Sequence, residues 1–310
     1  MPQLDPRRQL IGALMVAVAA VAFSAKGILI KLSYQHGVDT ITLLALRMIF
    51  SAPFFIALAG WTGAKAARLT RAEKWAIFIA GMLGYYFGSL FDFMGLQYIT
   101  VALERLVLFL YPTFVVIYSV FFAGYRVSRH DVFALGTSYF GLALAFINDL
   151  HTQQTNVVLG TFLVLLSALS YAAYLIRSET LIKRVGSVRF ACLASLSATI
   201  GVLTQFFVTS PVSALVSQAL PVYGWALVMA IVATVMPIIL TVAGIRRIGS
   251  SQASMVATLG PVVTIFFGYL FLGEPITLLQ LCGAVLVVAG VLVIALKRDS
   301  TSRKPDAVGA

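Results

Sequence analysis

Five charged residues interrupt long apolar stretches in the first half of the sequence: Lys26, Arg47, Asp92, Glu104 and Arg105. A charge among apolar neighbours is costly unless it faces a partner or a polar cavity. A set that contains both signs suits a zwitterion, or a polar metabolite that carries a carboxylate. Asp92 or Glu104 could also take up a proton and couple transport to a gradient. The competing interpretation is structural: Lys26 pairs with Asp92, and Glu104 pairs with Arg105 or Arg47.

Tyrosine and hydroxyl side chains recur at helical spacing in three other stretches, which predicts three further polar faces. Tyr85 shares a face with Gly81, Gly88 and Asp92; Tyr171 and Tyr174 share one with Ser167 and Ser178; Ser254 and Thr258 share one with Ser251 and Pro261. A single hydroxyl is more often bonded to its own helix, so the faces matter together. Tyr111 could stack on a planar molecule or pack in the core. The candidate binding residues are Lys26, Tyr85, Asp92, Glu104, Arg105, Tyr111, Tyr171, Tyr174, Ser254 and Thr258.

The sequence lacks the motifs of a metal or nucleotide enzyme. His36, His130 and His151 lie in predicted loops without metal-spaced partners, and Cys192 and Cys282 form no CxxC pair. There is no HExxH, no phosphate-cradling GxxxxGK[ST] and no GxSxG. We therefore expect no catalytic residue, no metal and no cofactor, and an ATP-driven pump is disfavoured.

The elements that position these residues follow from composition. The chain has 310 residues, of which 60% are hydrophobic and 11% charged, with a mean hydropathy of +0.98. A soluble protein carries about 25% charged residues. Ten stretches are long and apolar enough to span a membrane as helices: 10–32, 40–60, 75–96, 101–123, 132–148, 157–177, 189–208, 222–243, 251–272 and 277–296. The sequence therefore predicts an all-α polytopic membrane protein with ten transmembrane helices.

Lysine and arginine residues indicate how these helices are oriented. They occur at both termini and after every second stretch, and five breaks contain none: 34–39, 97–100, 149–156, 210–223 and 273–276. The positive-inside rule places both termini in the cytoplasm of a cell with the chain in its inner or plasma membrane. The same rule explains the net charge of +11, so we do not expect nucleic acid as a partner.

The chain contains two copies of one unit. Six residues recur at a constant offset of 149 positions: Gly95, Ile99, Pro112, Phe122, Gly124 and Gly141 match Gly244, Ile248, Pro261, Phe271, Gly273 and Gly290. The predicted repeats are 10–148 and 157–297, followed by a disordered cytoplasmic tail, 298–310. Five spans is an odd number, so the second copy is inverted, as in many secondary transporters. The paired Pro112 and Pro261 are candidate hinges, or static kinks.

The sequence resembles the EamA, or drug/metabolite transporter, superfamily of ten-helix carriers over about residues 10–297. The features that carry the resemblance are Arg47 in the second span, Pro112 and Pro261, and the turn Gly273-Glu274-Pro275 before the last span. The first copy departs from that turn with Gly124-Tyr125-Arg126. The resemblance implies a basket-like arrangement, alternating access, and small metabolites such as amino acids or their derivatives as cargo, often exported. It also favours a structural role for Arg47, because the family tends to carry an arginine there.

Three classes of function compete. The first is a secondary carrier of small polar or amphipathic metabolites in the lipid bilayer, with export as the leading direction and proton coupling as one option. Uptake of a vitamin or nucleoside-like compound is the alternative within this class, since Tyr85, Tyr171 and Tyr174 suit a planar ring. A membrane enzyme that uses Asp92, Glu104 and Lys26 is disfavoured, because no nucleophile–base pair accompanies them. A receptor or assembly subunit is the third class. The substrate and the oligomeric state stay open.

Overall fold

Ten helices make up most of the part of the chain that the structure describes. The computed structural model describes residues 6–63, 68–123, 128–151 and 156–302, and no strand occurs among them. In chain order the helices are α1 (Pro6–Tyr34), α2 (Thr40–Gly63), α3 (Arg71–Gly95), α4 (Val101–Leu108 and Tyr111–Ala123), α5 (Arg129–Leu150), α6 (Val157–Val185), α7 (Ser187–Thr209), α8 (Leu220–Gly249), α9 (residues 250–272) and α10 (Leu278–Ser302).

The predicted all-α polytopic fold is confirmed. Within the described ranges, nine helices are long and apolar enough to cross a membrane, and Leu278–Val293 is a tenth, shorter apolar segment. The ends lie within a few residues of those predicted, except that α6, α8 and α10 run further. The helix α10 continues to Ser302, so the first residues of the predicted tail 298–310 are helical. Residues 303–310 lie outside the described residues.

Side-chain contacts define the two ends of the bundle. At one end, here called the Tyr34 end, the Tyr34 hydroxyl donates to the Phe93 carbonyl at 2.8 Å. At the other, the Arg71 end, Arg184 approaches Glu73 to 2.6 Å. The helix α1 runs towards the Tyr34 end, whereas α6, the first helix of the second repeat, runs towards the Arg71 end. The two sets of five helices therefore run in opposite senses.

Irregular helical turns recur at the offset found in the sequence. A π-helical segment, Met82–Phe87, interrupts α3, and another, Ile231–Val235, interrupts α8. Their first residues are 149 positions apart. In α8, Pro237 lacks the N–H that would continue the regular ladder. In α3, Ser170 of α6 donates to the Leu83 carbonyl at 2.7 Å and so bonds a backbone group of the wider turn.

The two paired prolines also mark equivalent breaks. The helix α4 is interrupted after Leu108, and α9 is interrupted after Ala257. Each break comes four residues before a proline, Pro112 or Pro261. Proline has no N–H to donate to the carbonyl four residues earlier, and its ring collides with that carbonyl. The sequence pairing is thus matched by paired breaks, while motion at these sites stays a prediction.

Packing between the repeats is close and follows the same symmetry. The helix α1 lies along α8, and the equivalent α3 lies along α6, while α2 packs on α7 and α5 on α10. A Cβ added to Gly244 would come within 2.9 Å of the Gly12 carbonyl oxygen, and one on Gly95 within 2.9 Å of the Gly160 carbonyl oxygen. Small residues allow such close backbone approach in membrane helices. The largest buried apolar cluster draws on α1–α3 together with α7 and α8.

Candidate binding and coupling site

Three of the predicted charged residues meet inside the bundle. The ammonium of Lys26 on α1 lies 2.5 Å from Oδ2 of Asp92 on α3 and 3.7 Å from Oε1 of Glu104 on α4. Asp92 is 1% exposed and Glu104 is fully buried. We call these three residues the Lys26 cluster. Because they come from α1, α3 and α4, the first repeat alone supplies them.

The Lys26 cluster has more negative than positive groups. Two carboxylates face one ammonium, so the fully ionised cluster carries a net charge of −1. Neither oxygen of Glu104, nor Oδ1 of Asp92, accepts a hydrogen bond from any described residue. Buried polar atoms are normally satisfied, and an unsatisfied one costs about 1–3 kcal/mol or more when charged. A proton on one carboxyl group, or an ammonium group from a bound solute, would balance the cluster.

Arg105 does not join the Lys26 cluster. Its Nη2 donates to the Phe23 carbonyl of α1 at 2.6 Å, and its Nε donates to the Thr264 hydroxyl of α9 at 3.2 Å. The described residues form no ion pair between Glu104 and Arg105. Side chains of adjacent helical residues point about 100° apart, so these two face different neighbours. Arg105 therefore connects α4 to α1 and to the second repeat.

Arg47 lies apart and has packing partners. Its Nη2 donates to the Ser89 hydroxyl at 3.0 Å, and its guanidinium stands 5.0 Å from the centre of the Phe93 ring. Both partners belong to α3, and Arg47 itself is only 4% exposed. A guanidinium over an aromatic face is attracted by the ring quadrupole. These contacts join α2 to α3 and agree with a structural role.

The four candidate tyrosines lie together. Helical spacing had placed Tyr85 on one predicted face and Tyr171 and Tyr174 on another, and it did not predict that the faces meet. The Tyr85 and Tyr174 rings are 5.3 Å apart with their hydroxyls at 3.3 Å. Tyr171 stacks on Tyr174 at 5.6 Å, and Tyr111 meets Tyr171 edge-on at 5.3 Å. We call these residues the tyrosine cluster; α3, α4 and α6 supply them, so it draws on both repeats. Such a set of rings could hold a planar group or simply pack.

Regular helical spacing placed Tyr85 and Asp92 on one face of α3, but they contact different neighbours. Tyr85 meets Tyr174 of α6, whereas Asp92 meets Lys26 of α1. Tyr85 lies within the π-helical segment Met82–Phe87, and this segment changes the helical register before Asp92. The structure thus separates two groups of candidate residues that the sequence placed together.

Of the two candidates on α9, Thr258 is not brought to either cluster. The Thr258 hydroxyl donates to the Met255 carbonyl at 2.6 Å, so it serves its own helix at the break. The side chain of Ser254 lies outside the described residues.

A cavity of about 520 Å³ opens at the Tyr34 end, and the sequence did not point to it. Lys31 and Glu274 line it, with Nζ and Oε1 3.1 Å apart. The Val101 N–H at the start of α4 also donates to the Glu274 carboxylate, 3.2 Å from each oxygen. We call this space the end cavity. It lies between the repeats, because Lys31 belongs to α1 and Glu274 follows α9.

A second carboxylate holds the start of α4. Asp149, at the end of α5, accepts from the Thr100 N–H and from the Thr100 hydroxyl, both at 2.9 Å. Carboxylates are favoured at a helix N-terminus, where backbone N–H groups are free. Lys31, Glu274 and Asp149 were not among the predicted site residues. For Lys31 a signal existed: like Lys26, it is a lysine within the predicted span 10–32.

Comparison with known proteins supports the fold and the class. The sequence profile described as "EamA-like transporter family" matches residues 10–147 and 158–296. An uncharacterized transporter of Bacillus subtilis (strain 168), YcbK, is 31% identical over 292 residues, which cover 91% of this chain and 92% of that protein. An uncharacterized transporter of Archaeoglobus fulgidus is 24% identical over 283 residues, which cover 91% and 95% of the two chains.

A solved crystal structure has the same fold. It superimposes with a TM-score of 0.64 at 17% identity and covers 94% of this chain and 99% of its own. The names of the family and of the relatives indicate a transporter rather than an enzyme. Two matches of the family profile, one on each five-helix repeat, account for most of the sequence. The chain therefore belongs to the EamA-like transporter family of multi-pass membrane proteins.

Proposed function

We propose that the chain is a secondary-active carrier that exports small polar or amphipathic metabolites, amino acids or their derivatives, by alternating access. The observation that carries this proposal is the Lys26 cluster: two buried carboxylates around one ammonium inside a membrane bundle. Charged residues inside membrane helices are rare and usually belong to substrate or ion pathways. The cluster offers a place for an ammonium group of the cargo and for a proton.

Contacts between the repeats support alternating access. Ion pairs connect the two repeats at both ends of the bundle: Lys31 with Glu274 at the Tyr34 end, and Arg184 with Glu73 at the Arg71 end. Each pair joins one residue of each repeat, so a relative movement of the repeats at either end would separate the pair there. The helix breaks before Pro112 and Pro261 offer equivalent places for bending in the two repeats. We propose both prolines as hinges on this basis.

The aromatic rings favour a second candidate, uptake of a vitamin or nucleoside-like compound. The Tyr171 ring lies 5.3 Å from the Tyr111 ring, edge-on, and 5.6 Å from the Tyr174 ring, stacked. A planar heterocycle could stack against these rings, since aromatic groups favour offset-stacked and edge-on contacts. The cargo classes are distinguished by their charge: export of amino acids depends on the Lys26 cluster, whereas a neutral ring compound depends on the tyrosine cluster.

The proposed function is tested by exchange in proteoliposomes. Purified protein is reconstituted into liposomes loaded with unlabelled amino acids, and entry of the labelled amino acid is measured. We expect saturable exchange above the level of protein-free liposomes. Parallel liposomes loaded with nucleosides and with B-group vitamins test the second candidate. Exchange of those compounds in the absence of amino-acid exchange would contradict the first proposal.

The proposed orientation places the Tyr34 end outside the cell, both termini in the cytoplasm and the protein in the cell (inner or plasma) membrane. It relies on the distribution of lysine and arginine. A reporter protein that is active only outside the cytoplasm should be active when fused after His151, and inactive when fused after Gly63. The reverse pattern would contradict the orientation, although the fold would stand.

A further inference from the structure

We propose that the end cavity is a recognition site for solutes that carry both a carboxylate and an ammonium group. In this proposal the ion pair of Lys31 with Glu274, which lines the cavity, is exchanged for two ion pairs with the charged groups of the solute. The proposal extends the proposed function, because it adds a second site on the path of the cargo. It concerns residues other than the Lys26 cluster.

The first support is the partial burial of the ion pair. The side chains of Lys31 and Glu274 are 16% and 10% exposed. Separating a largely desolvated pair leaves Lys31 without its counter-charge and Glu274 with only the Val101 N–H, which is costly. A solute with a single charge can supply a new partner to only one of the two residues. A solute with both charges satisfies Lys31 with its carboxylate and Glu274 with its ammonium group, so it alone can replace the pair without an uncompensated charge.

The second support is that this place already holds a carboxylate. The Glu274 carboxylate accepts from the Lys31 ammonium and from the Val101 N–H. A solute carboxylate in the same position would find the same two donors. The start of α4 keeps its other partner, because Asp149 remains bonded to Thr100. The start of α4 therefore stays capped by Asp149 when Glu274 moves away.

The third support is the size and lining of the end cavity. Its volume of about 520 Å³ lies in the range of about 300–1,000 Å³ that is typical of small-ligand sites. The walls combine the apolar Leu96 and Leu272 with the amides of Gln35 and Gln97. Such walls suit an α-amino acid with an apolar or amide side chain better than an inorganic ion.

The position of the end cavity fits a path from the Lys26 cluster to the outside. Lys26 and Lys31 are five residues apart on α1, which corresponds to about 7.5 Å along the helix axis. Lys26 pairs with carboxylates of α3 and α4, and Lys31 pairs with the carboxylate of Glu274, which follows α9. A zwitterion released from the first site would again meet a lysine and a carboxylate at the second.

Protection of a cysteine tests the proposal directly. Gln35, an exposed residue of the cavity wall, is changed to cysteine in a Cys282→Ser background, and the rate of its reaction with a charged thiol reagent is measured. The probes are L-leucine, L-phenylalanine and L-glutamine, with the methyl ester and the N-acetyl derivative of each. At least one amino acid should slow labelling by about tenfold, while its two derivatives, which each lack one charge, leave the rate nearly unchanged.

Charge variants supply the second readout. Lys31→Ala and Glu274→Gln should each abolish protection by the amino acid in the Gln35→Cys protein. The matched control is the exposed pair of Lys183 with Glu179, whose atoms are 2.9 Å apart; Lys183→Ala and Glu179→Gln should keep full protection. If a charge variant fails to fold, the Gln35→Cys protein alone still tests the proposal. Its labelling should be slowed by an amino acid and not by the methyl ester or the N-acetyl derivative.

Two outcomes would overturn the proposal: no protection by any of the three amino acids, or equal protection by amino acids and their derivatives. The experiment does not require transport. Protection without exchange in proteoliposomes would contradict the proposed function and leave the site standing. Exchange without protection would contradict the proposed site and leave the proposed function standing.

Discussion

Replacing Lys26 with alanine should destabilise the protein by about 3–5 kcal/mol, the usual cost of removing one partner of a buried ion pair. The change leaves Asp92 and Glu104 buried with no ammonium nearby, since Lys26 Nζ is 2.5 Å from one and 3.7 Å from the other. Thermal unfolding of the purified protein measures the effect. Lys183→Ala is the control, because that exposed pair contributes less than about 1 kcal/mol.

Removing all three charges together should restore most of the lost stability. Lys26→Met/Asp92→Asn/Glu104→Gln replaces the cluster by uncharged groups of similar size, so no uncompensated charge stays buried and only the smaller cost of two buried amides remains. The triple variant thus separates folding from function. Equal losses in Lys26→Ala and Lys183→Ala would contradict the assignment of Lys26 as the counter-charge of two buried carboxylates.

Replacing Glu104 with glutamine should uncouple transport from a proton gradient while exchange continues. Glu104 is fully buried, and its oxygens accept no hydrogen bond from the described residues, whereas Asp92 is held by Lys26 at 2.5 Å. We therefore expect Glu104 to be the group that binds and releases a proton. One pH unit is worth about 1.36 kcal/mol, so each coupled proton supports up to about tenfold accumulation per unit. In the Glu104→Gln variant, the ratio of internal to external solute concentration under a pH gradient should fall to about one.

The measurement compares gradient-driven accumulation with exchange in the same proteoliposomes. Glu179→Gln, which changes an exposed carboxylate on α6, should behave like the unmodified protein in both assays. Asp92→Asn removes the nearest partner of Lys26 and should lower both activities. Full gradient-driven accumulation by Glu104→Gln would rule out Glu104 as the coupling residue.

The fold was predictable because its signals are long and repeated. Ten apolar stretches set the helices, and a single offset of 149 residues related the halves. The structure repeats that offset in the π-helical segments and in the breaks before Pro112 and Pro261. The helix ends at Val185 and Gly249 were harder to predict, because amphipathic ends with lysine or arginine can continue a helix past its apolar part.

The site was predictable only in part. The cost of a buried charge singled out Lys26, Asp92 and Glu104, and they do lie together. The partners of Tyr85 could not be read from helical spacing, because a π-helical segment changes the register between Tyr85 and Asp92. The pair of Lys31 with Glu274 joins residues 243 positions apart at the ends of two helices. Such a contact depends on how the repeats pack, and hydropathy does not record it.

The most direct test of the central claim is amino-acid exchange by the neutral triple variant, Lys26→Met/Asp92→Asn/Glu104→Gln, in proteoliposomes. The claim is that the Lys26 cluster binds cargo and proton and is not simply a structural ion pair. It predicts a variant that unfolds at nearly the normal temperature but shows no exchange above protein-free liposomes and no response to a pH gradient. A folded triple variant with normal exchange would contradict the claim and assign the three charges to structure alone.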